Sequence, residues 1–300
     1  MSRKKGLLYQ VVTSWPSYVL VLPALAILFV FDIYPIIMTL IMSTRFYKNV
    51  FDSVYVGLGN YQYVLTDSSF WNAMKVTGIY TLFLVPGLLV FSLLLAVLLN
   101  VRTPLRSLFK AIYYIPVICS GILVGVVWKW IYHGQYGVLN YALSWFGAKP
   151  RVWLADTRTA LGALIVVGLW KSVGYYMIIY LAGLQSIPAE LYESATIDGA
   201  SKIQSFFRVT LPMLSPILLT VLILATIGSF QAFDQVYVMT YGGPVESTST
   251  IVWRMYYTAF IKVQPGEGAA ISFLAFLVIM AVSLLQIRYF RSGLLGSDVK

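Results

Sequence analysis

Six long apolar runs, divided by short polar segments, set the pattern of this chain. They lie at about residues 17–42, 76–99, 111–131, 160–185, 212–233 and 269–287. A run of about 20 apolar residues, wound as a helix, crosses a hydrocarbon core of about 30 Å. Backbone N–H and C=O groups find no partners in lipid, so each run is predicted to be a helix that satisfies its own backbone. A β-barrel would need segments of about 10 residues with alternating polarity, and these runs do not alternate. The pattern predicts an all-α polytopic membrane protein: six transmembrane helices in a single domain, 1–300.

Composition agrees with the pattern. The chain is 59% apolar and 11% charged, with a mean hydropathy of +0.81, far outside the soluble range. Its formal net charge of +10 follows topology. Six spans put both termini on one side. If that side is the cytoplasm, the inside segments hold Arg3, Lys4, Lys5, Arg102, Arg106, Lys110, Lys202, Arg208, Arg288, Arg291 and Lys300. The outside segments hold fewer cations over a greater length, so the bias predicts cytoplasmic N- and C-termini. The basic residues are dispersed, which suits contact with membrane lipid and offers no patch for nucleic acid. Arg3, Lys4 and Lys5 could open a signal peptide. However, the small-residue triplet Ala24-Leu25-Ala26 sits inside the apolar run, which continues to Met42, so a retained first span is expected.

Between the spans, Gly57 to Tyr61 reads as a turn and Asp67-Ser68-Ser69 as a cap before the second helix. No segment outside the membrane has room for a separate domain. Pro23, Pro35, Pro86, Gly121, Gly125, Gly174 and Gly183 fall inside spans. Such residues are common in membrane helices, and they can also be kinks that let a cavity open on alternate sides.

Candidate chemistry is sparse. Cys119 and His133 are the only residues of their kinds, which excludes an intrachain disulfide, a thiolate metal site and a histidine cluster. No G-x-x-x-x-G-K-[ST] phosphate loop, serine elbow or paired-aspartate motif occurs, so neither a cofactor nor an enzymatic activity is predicted for this chain. A charged residue in mid-span costs about 2.5–3.5 kcal/mol on insertion scales, and each one invites a functional reading. Lys171 follows Trp170 in the fourth span, with Tyr175 and Tyr176 one turn on and Gln231 closing the fifth span. Aromatic faces suit the apolar face of a sugar ring, and polar groups suit its hydroxyls. Lys171, Tyr175, Tyr176 and Gln231 are therefore candidates for a translocation path. Lys129, between Trp128 and Trp130, reads as a snorkelling lysine in an interfacial aromatic belt. Asp234 reads as a cap or ion-pair partner near an interface, and Asp32 lies in the first span.

The polar segment 186–211, between the fourth and fifth runs, carries helix-forming residues where an irregular loop would suffice. Pro188 and Glu190 suit a helix start. Asp198 can cap a second short helix, and Gly199 permits a bend. Two short helices lying on the membrane face would offer a partner an apolar ridge flanked by acids.

This segment resembles the loop of the membrane subunits of bacterial binding-protein-dependent ABC importers, whose pattern is E-A-A, three residues, G, nine residues, I-x-L-P. Here Glu193-Ser194-Ala195, Gly199 and Val209-x-Leu211-Pro212 hold the same spacing, with Ser194 and Val209 as departures. The Ile197-Asp198-Gly199-Ala200 step and the run from Phe233 through Tyr241-Gly242-Gly243-Pro244 are similar to the carbohydrate-uptake branch, as in the first permease of maltose or glycerol-phosphate systems. The resemblance implies the type I importer permease fold in a bacterial cell membrane. It implies a coupling helix, with Glu193, Ser194, Ala195, Asp198, Gly199, Ala200, Leu211 and Pro212 at the joint with a cytoplasmic ATPase. It further implies partners: a homologous second permease, a dimer of ABC ATPase subunits that bind the ATP, an extracytoplasmic solute-binding protein and a carbohydrate substrate. The rival readings are an ion-coupled secondary transporter and a membrane scaffold without transport.

Overall fold

A computed structural model describes residues 15–49, 52–101 and 104–293. Arg3, Lys4, Lys5, Arg102 and Lys300, which carry much of the expectation about the termini, lie outside the described residues.

The first span is α1 (Trp15–Leu28), a π-helical turn (Phe29–Ile33) and α2 (Tyr34–Ser43). A short antiparallel hairpin follows, β1 (Arg45–Tyr47) with β2 (Ser53–Tyr55), in which Phe46 faces Val54. This strand pair, three residues on each side, is a local addition to a helical chain. Asn60 explains why it forms: its side-chain amide donates to the carbonyls of Ser43 at 2.8 Å and Arg45 at 2.9 Å, pinning the chain as it leaves the span. Asn60 itself sits on α3 (Gly59–Thr66).

The second span, α4 (Ser68–Asn100), begins eight residues before its apolar run, because the Asp67 side chain accepts from the Ser69 N–H and starts the helix there. The fourth span, α8 (Ala160–Ser186), matches its run. The sixth, α14 (Pro265–Gly293), starts four residues early, at the proline that its first turn accommodates. The sequence expectation of continuous third and fifth spans is corrected. The third is split into α5 (Arg106–Ile118) and α6 (Gly121–Ile131), bent by 99°. Between them, Cys119 and Ser120 take extended backbone angles, with ψ 140° and 133°. The fifth is bent by 66° between Lys202–Met213 and α12 (Ser215–Phe230). Pro212 and Pro216 each lack a donor N–H and sit in the first turn of a helix, where none is needed, so the chain restarts at both. Four uninterrupted helices and two bent pairs thus stand at the six apolar runs.

The main packing pair is α4 against α8. Ala96 and Ala163 are buried in the cluster this pair forms, and Leu88, Leu164, Val167, Met177 and Tyr180 fill the space around them. Lipid supplies no hydrophobic drive between membrane helices, so small residues that let backbones approach are what this interface needs. Gly174 is the sharpest case. A Cβ there would collide with the Tyr113 carbonyl oxygen on α5. Its glycine is therefore a close-approach site between two backbones.

Candidate functional site

Two regions bring chemistry together, one at each end of the fifth span. At one end, α9 (Ala189–Ile197) runs from Pro188, with Glu190 in its first turn. It stops in a C-terminal turn: Asp198 is the C-cap, the Gly199 N–H donates to the Thr196 carbonyl at 3.1 Å, and the Ala200 N–H donates to Ala195 at 2.9 Å. That pattern requires a left-handed residue, and Gly199 supplies it with φ +75°. Asp198 consequently ends the first helix and does not cap the second, which corrects the sequence expectation. Ser201 performs that role. Its hydroxyl accepts from the Gln204 N–H at 3.3 Å, and the Gln204 side chain accepts from the Ser201 N–H at 2.8 Å, a reciprocal cap at the start of α10 (Lys202–Ser205).

Glu193, Ser194, Asp198 and Gly199 are exposed, while Ala195 and Ala200 are half-buried. Ile197 is 87% and Ile203 72% exposed, an apolar ridge with Glu193 and Asp198 nearby. Behind the ridge the Tyr192 and Thr210 hydroxyls meet at 2.9 Å, fixing α9 to the π-helical turn Phe206–Thr210. Leu211, half-buried, and Pro212, exposed, form the next turn into the membrane. The structure therefore presents 186–211 as a two-helix projection, exposed on one face and hydrogen-bonded to the turn behind it on the other.

At the other end, a cavity of about 220 Å³ opens among α4, α8 and α12. Lys171, Tyr176 and Gln231 line it, as does Asp234. Tyr175 is not among the lining residues and is 41% exposed, so the structure separates it from the other three path candidates. Asp234 reads from the sequence as a cap or ion-pair partner near an interface, not as a path residue. It reaches the cavity because the bent third span puts Gly121 directly against its carboxylate. No ion pair joins Lys171 to Asp234 among the described residues. The Tyr80 hydroxyl donates to Gln235 Oε1 at 3.3 Å, and Ser229 donates to the Thr81 hydroxyl at 2.9 Å, so the wall is a polar network within an apolar bundle. Beside it Phe233, Tyr237, Trp253 and Tyr256 form an aromatic cluster with ring centroids 5.1–6.4 Å apart. Lys129 reaches the Val238 carbonyl at 3.4 Å while Trp130 stays exposed beside it. Asp32 is exposed on the first span, away from the cavity. The lining thus brings one cation, one carboxylate, hydroxyls and amides to a single cavity, groups that can hydrogen-bond a polar solute.

The family described as binding-protein-dependent transport system inner membrane component matches residues 71–294. The trehalose/maltose transport system permease protein MalF of Thermococcus litoralis is 34% identical over 276 residues, 92% of this chain and 93% of that protein. The sulfoquinovosyl glycerol transport system permease protein SmoG of Agrobacterium fabrum is 32% identical over 280 residues, 92% and 90% of the two chains. A chain in the crystal structure of a bacterial ABC transporter that imports the acidic polysaccharide alginate superposes with a TM-score of 0.83 at 22% identity, over 96% of this chain and 99% of that one. At that identity the likeness shows the fold. The chain belongs to the inner membrane components of binding-protein-dependent transport systems, a multi-pass membrane permease with the ABC importer fold.

Proposed function

We propose that this chain is the membrane subunit of an ATP-driven importer for a sugar, oligosaccharide or polyol. The observation that carries the reading is the projection at 186–211: two capped helices joined by Gly199, exposed on one face and anchored by Tyr192 and Thr210 on the other. Such a projection can be gripped from outside the membrane and, being anchored through Tyr192 and Thr210, would pass displacement into the fifth span. An ATPase dimer would grip it, with Glu193 making a polar contact and Ile197 filling an apolar hollow. A second, homologous permease and an extracytoplasmic binding protein would complete the assembly, with residues 1–300 acting as one domain. ATP would be bound by the partner, and this chain would carry no cofactor. Lys171, Tyr176, Gln231 and Asp234 would line the path. The carbohydrate class is supported by relatives whose solutes are glycosides, trehalose or maltose in one and sulfoquinovosyl glycerol in another.

The test is co-purification of the chain with the products of its neighbouring genes. An ATP-binding subunit should accompany wild type and be lost in Glu193→Ala and Gly199→Val. Glu193 is exposed, so its truncation spares folding, whereas valine at φ +75° costs about 1–2 kcal/mol and distorts the turn. Full ATPase recovery and full uptake in both variants would refute the coupling assignment.

A further inference from the structure

We propose that a groove between the first turns of α4 and α8 binds an anionic phospholipid, in the leaflet facing away from the 186–211 projection. The inference rests on membrane placement alone, and it stands whether or not an ATPase docks on the loop. The groove, about 560 Å³, is lined by Lys75, Ile79 and Phe83 of α4, by Arg158 in the loop just before α8, by Ile165 of α8, and by Ser247. Its position follows from α4, whose other end, Val97 and Asn100, borders the projection.

The groove holds two cations and no carboxylate. Lys75 and Arg158 are exposed, and neither side chain forms an ion pair among the described residues, where both ion pairs belong to Arg254. The nearest acid in sequence, Asp156, accepts from the Arg158 backbone N–H at 2.9 Å. Glu246 is engaged too, with its carboxylate 3.4 Å from Arg254 and its carbonyl taking the Asn72 amide at 3.0 Å. That second bond holds the Ser247 loop over the groove, and the Ser247 hydroxyl is buried with no partner. Two unneutralised cations and an orphan hydroxyl around one opening match the oxygens of a phosphodiester.

Depth identifies the rest of the ligand. The 33 residues of α4 extend about 50 Å, some 20 Å more than the hydrocarbon core. Lys75 is seven residues from its start, about 10 Å along, and so sits at the headgroup boundary. Ile79 and Phe83 follow at four-residue steps on the same helix face, and Phe83 is 62% exposed below the cations. An inorganic anion would leave that stripe unused, whereas an acyl chain covers it.

The experiment uses the full chain, in its assembly, reconstituted with phosphatidylglycerol or phosphatidylcholine, with retained lipid counted by native mass spectrometry. Wild type should retain phosphatidylglycerol preferentially. Lys75→Gln with Arg158→Gln should weaken that retention about thirtyfold, the effect of two surface cations on an anionic lipid, and leave phosphatidylcholine unchanged. Lys75→Arg with Arg158→Lys should restore it, and Phe83→Ser should weaken it without changing any charge. Should the double glutamine variant not assemble, Ser247→Ala gives the same readout through one lost donor, with a several-fold reduction expected. Equal retention of both lipids, retention unaffected by the glutamines, or displacement of the lipid by millimolar inorganic phosphate would each overturn the proposal. So would a groove whose Lys75 cross-links to a second protein subunit in place of lipid.

Discussion

Arg254 is 6% exposed and holds Asp67 at 2.6 Å and Glu246 at 3.4 Å, joining the segment after Gly242-Gly243-Pro244 to the cap of α4. Burial pushes the Asp67 carboxyl pKa up, but the Ser69 N–H, Arg254 and Lys262 outweigh it, so the net value lies below the ordinary 3.8. A depressed folded value means the contribution to stability is fully present above pH 3.8 and is lost as pH falls through the folded value. Asp67→Asn should therefore destabilise the protein at pH 7 by about 3 kcal/mol, since it leaves a buried guanidinium short of its acid. It should also flatten the acid limb of a thermal-inactivation profile recorded in mild detergent. Glu246→Gln, whose side chain is 48% exposed, should cost under about 1 kcal/mol. A pH profile of Asp67→Asn identical to wild type would contradict this. Of the pair, only the Asp67 cap was legible in the sequence, because a cap is a bond to the next two residues. The partner 187 positions away is fixed by tertiary packing. Asp234 escaped for the same reason: its place in the cavity depends on a bend in another span. Lys171→Met and Asp234→Asn should each raise the KM for solute about tenfold, one lost hydrogen bond to a charged group, while Tyr175→Phe should not.

Legibility improves at the scale of elements. Apolar run length set the number of spans, and the fourth span's bounds were read almost to the residue, since lipid enforces the same length on sequence and helix. The breaks were harder. Cys119-Ser120 itself carries no proline and no charge, and the neighbouring Gly121, read as span composition or a kink, did not by itself mark a 99° corner. The Ser201-Lys202-Ile203-Gln204 capping box was visible as a pattern, yet Asp198 was preferred because a helix start was sought one turn too early. Gly174 was read as ordinary span composition or a kink, and the structure shows it as the place where α5 and α8 touch backbone to backbone. Gly174→Ala should lower stability by about 1–3 kcal/mol or prevent assembly, since neither helix can yield a carbonyl. Gly78→Ala, on α4 with open space around the new methyl, should be neutral or stabilise by up to about 1 kcal/mol through helix propensity. Similar losses in the two variants, measured by thermal inactivation, would show that helix crowding is not the cause.

At the scale of the whole molecule, the polar cavity and the projection lie at opposite ends of one bent fifth span, with Gln231 closing one end and Tyr192 clamped to Thr210 at the other. Force applied at the projection reaches the cavity wall along one short stretch of chain, through the bend at Leu214 and then α12. An ion-coupled carrier needs its driving ion to bind beside the solute, and here Lys171 and Asp234 would have to serve as that site. The two energy sources therefore load different residues. In proteoliposomes holding the complete assembly, ATP on the loop side should sustain uptake after a protonophore and a sodium ionophore have collapsed both gradients. Gly199→Val should stop it in either condition, without changing solute affinity at the cavity. Lys171→Met should do the reverse, raising KM while leaving the dependence on ATP intact. If uptake instead collapses with the gradients while ATP remains, and Asp234→Asn abolishes it outright, the cavity and not the projection is where energy enters.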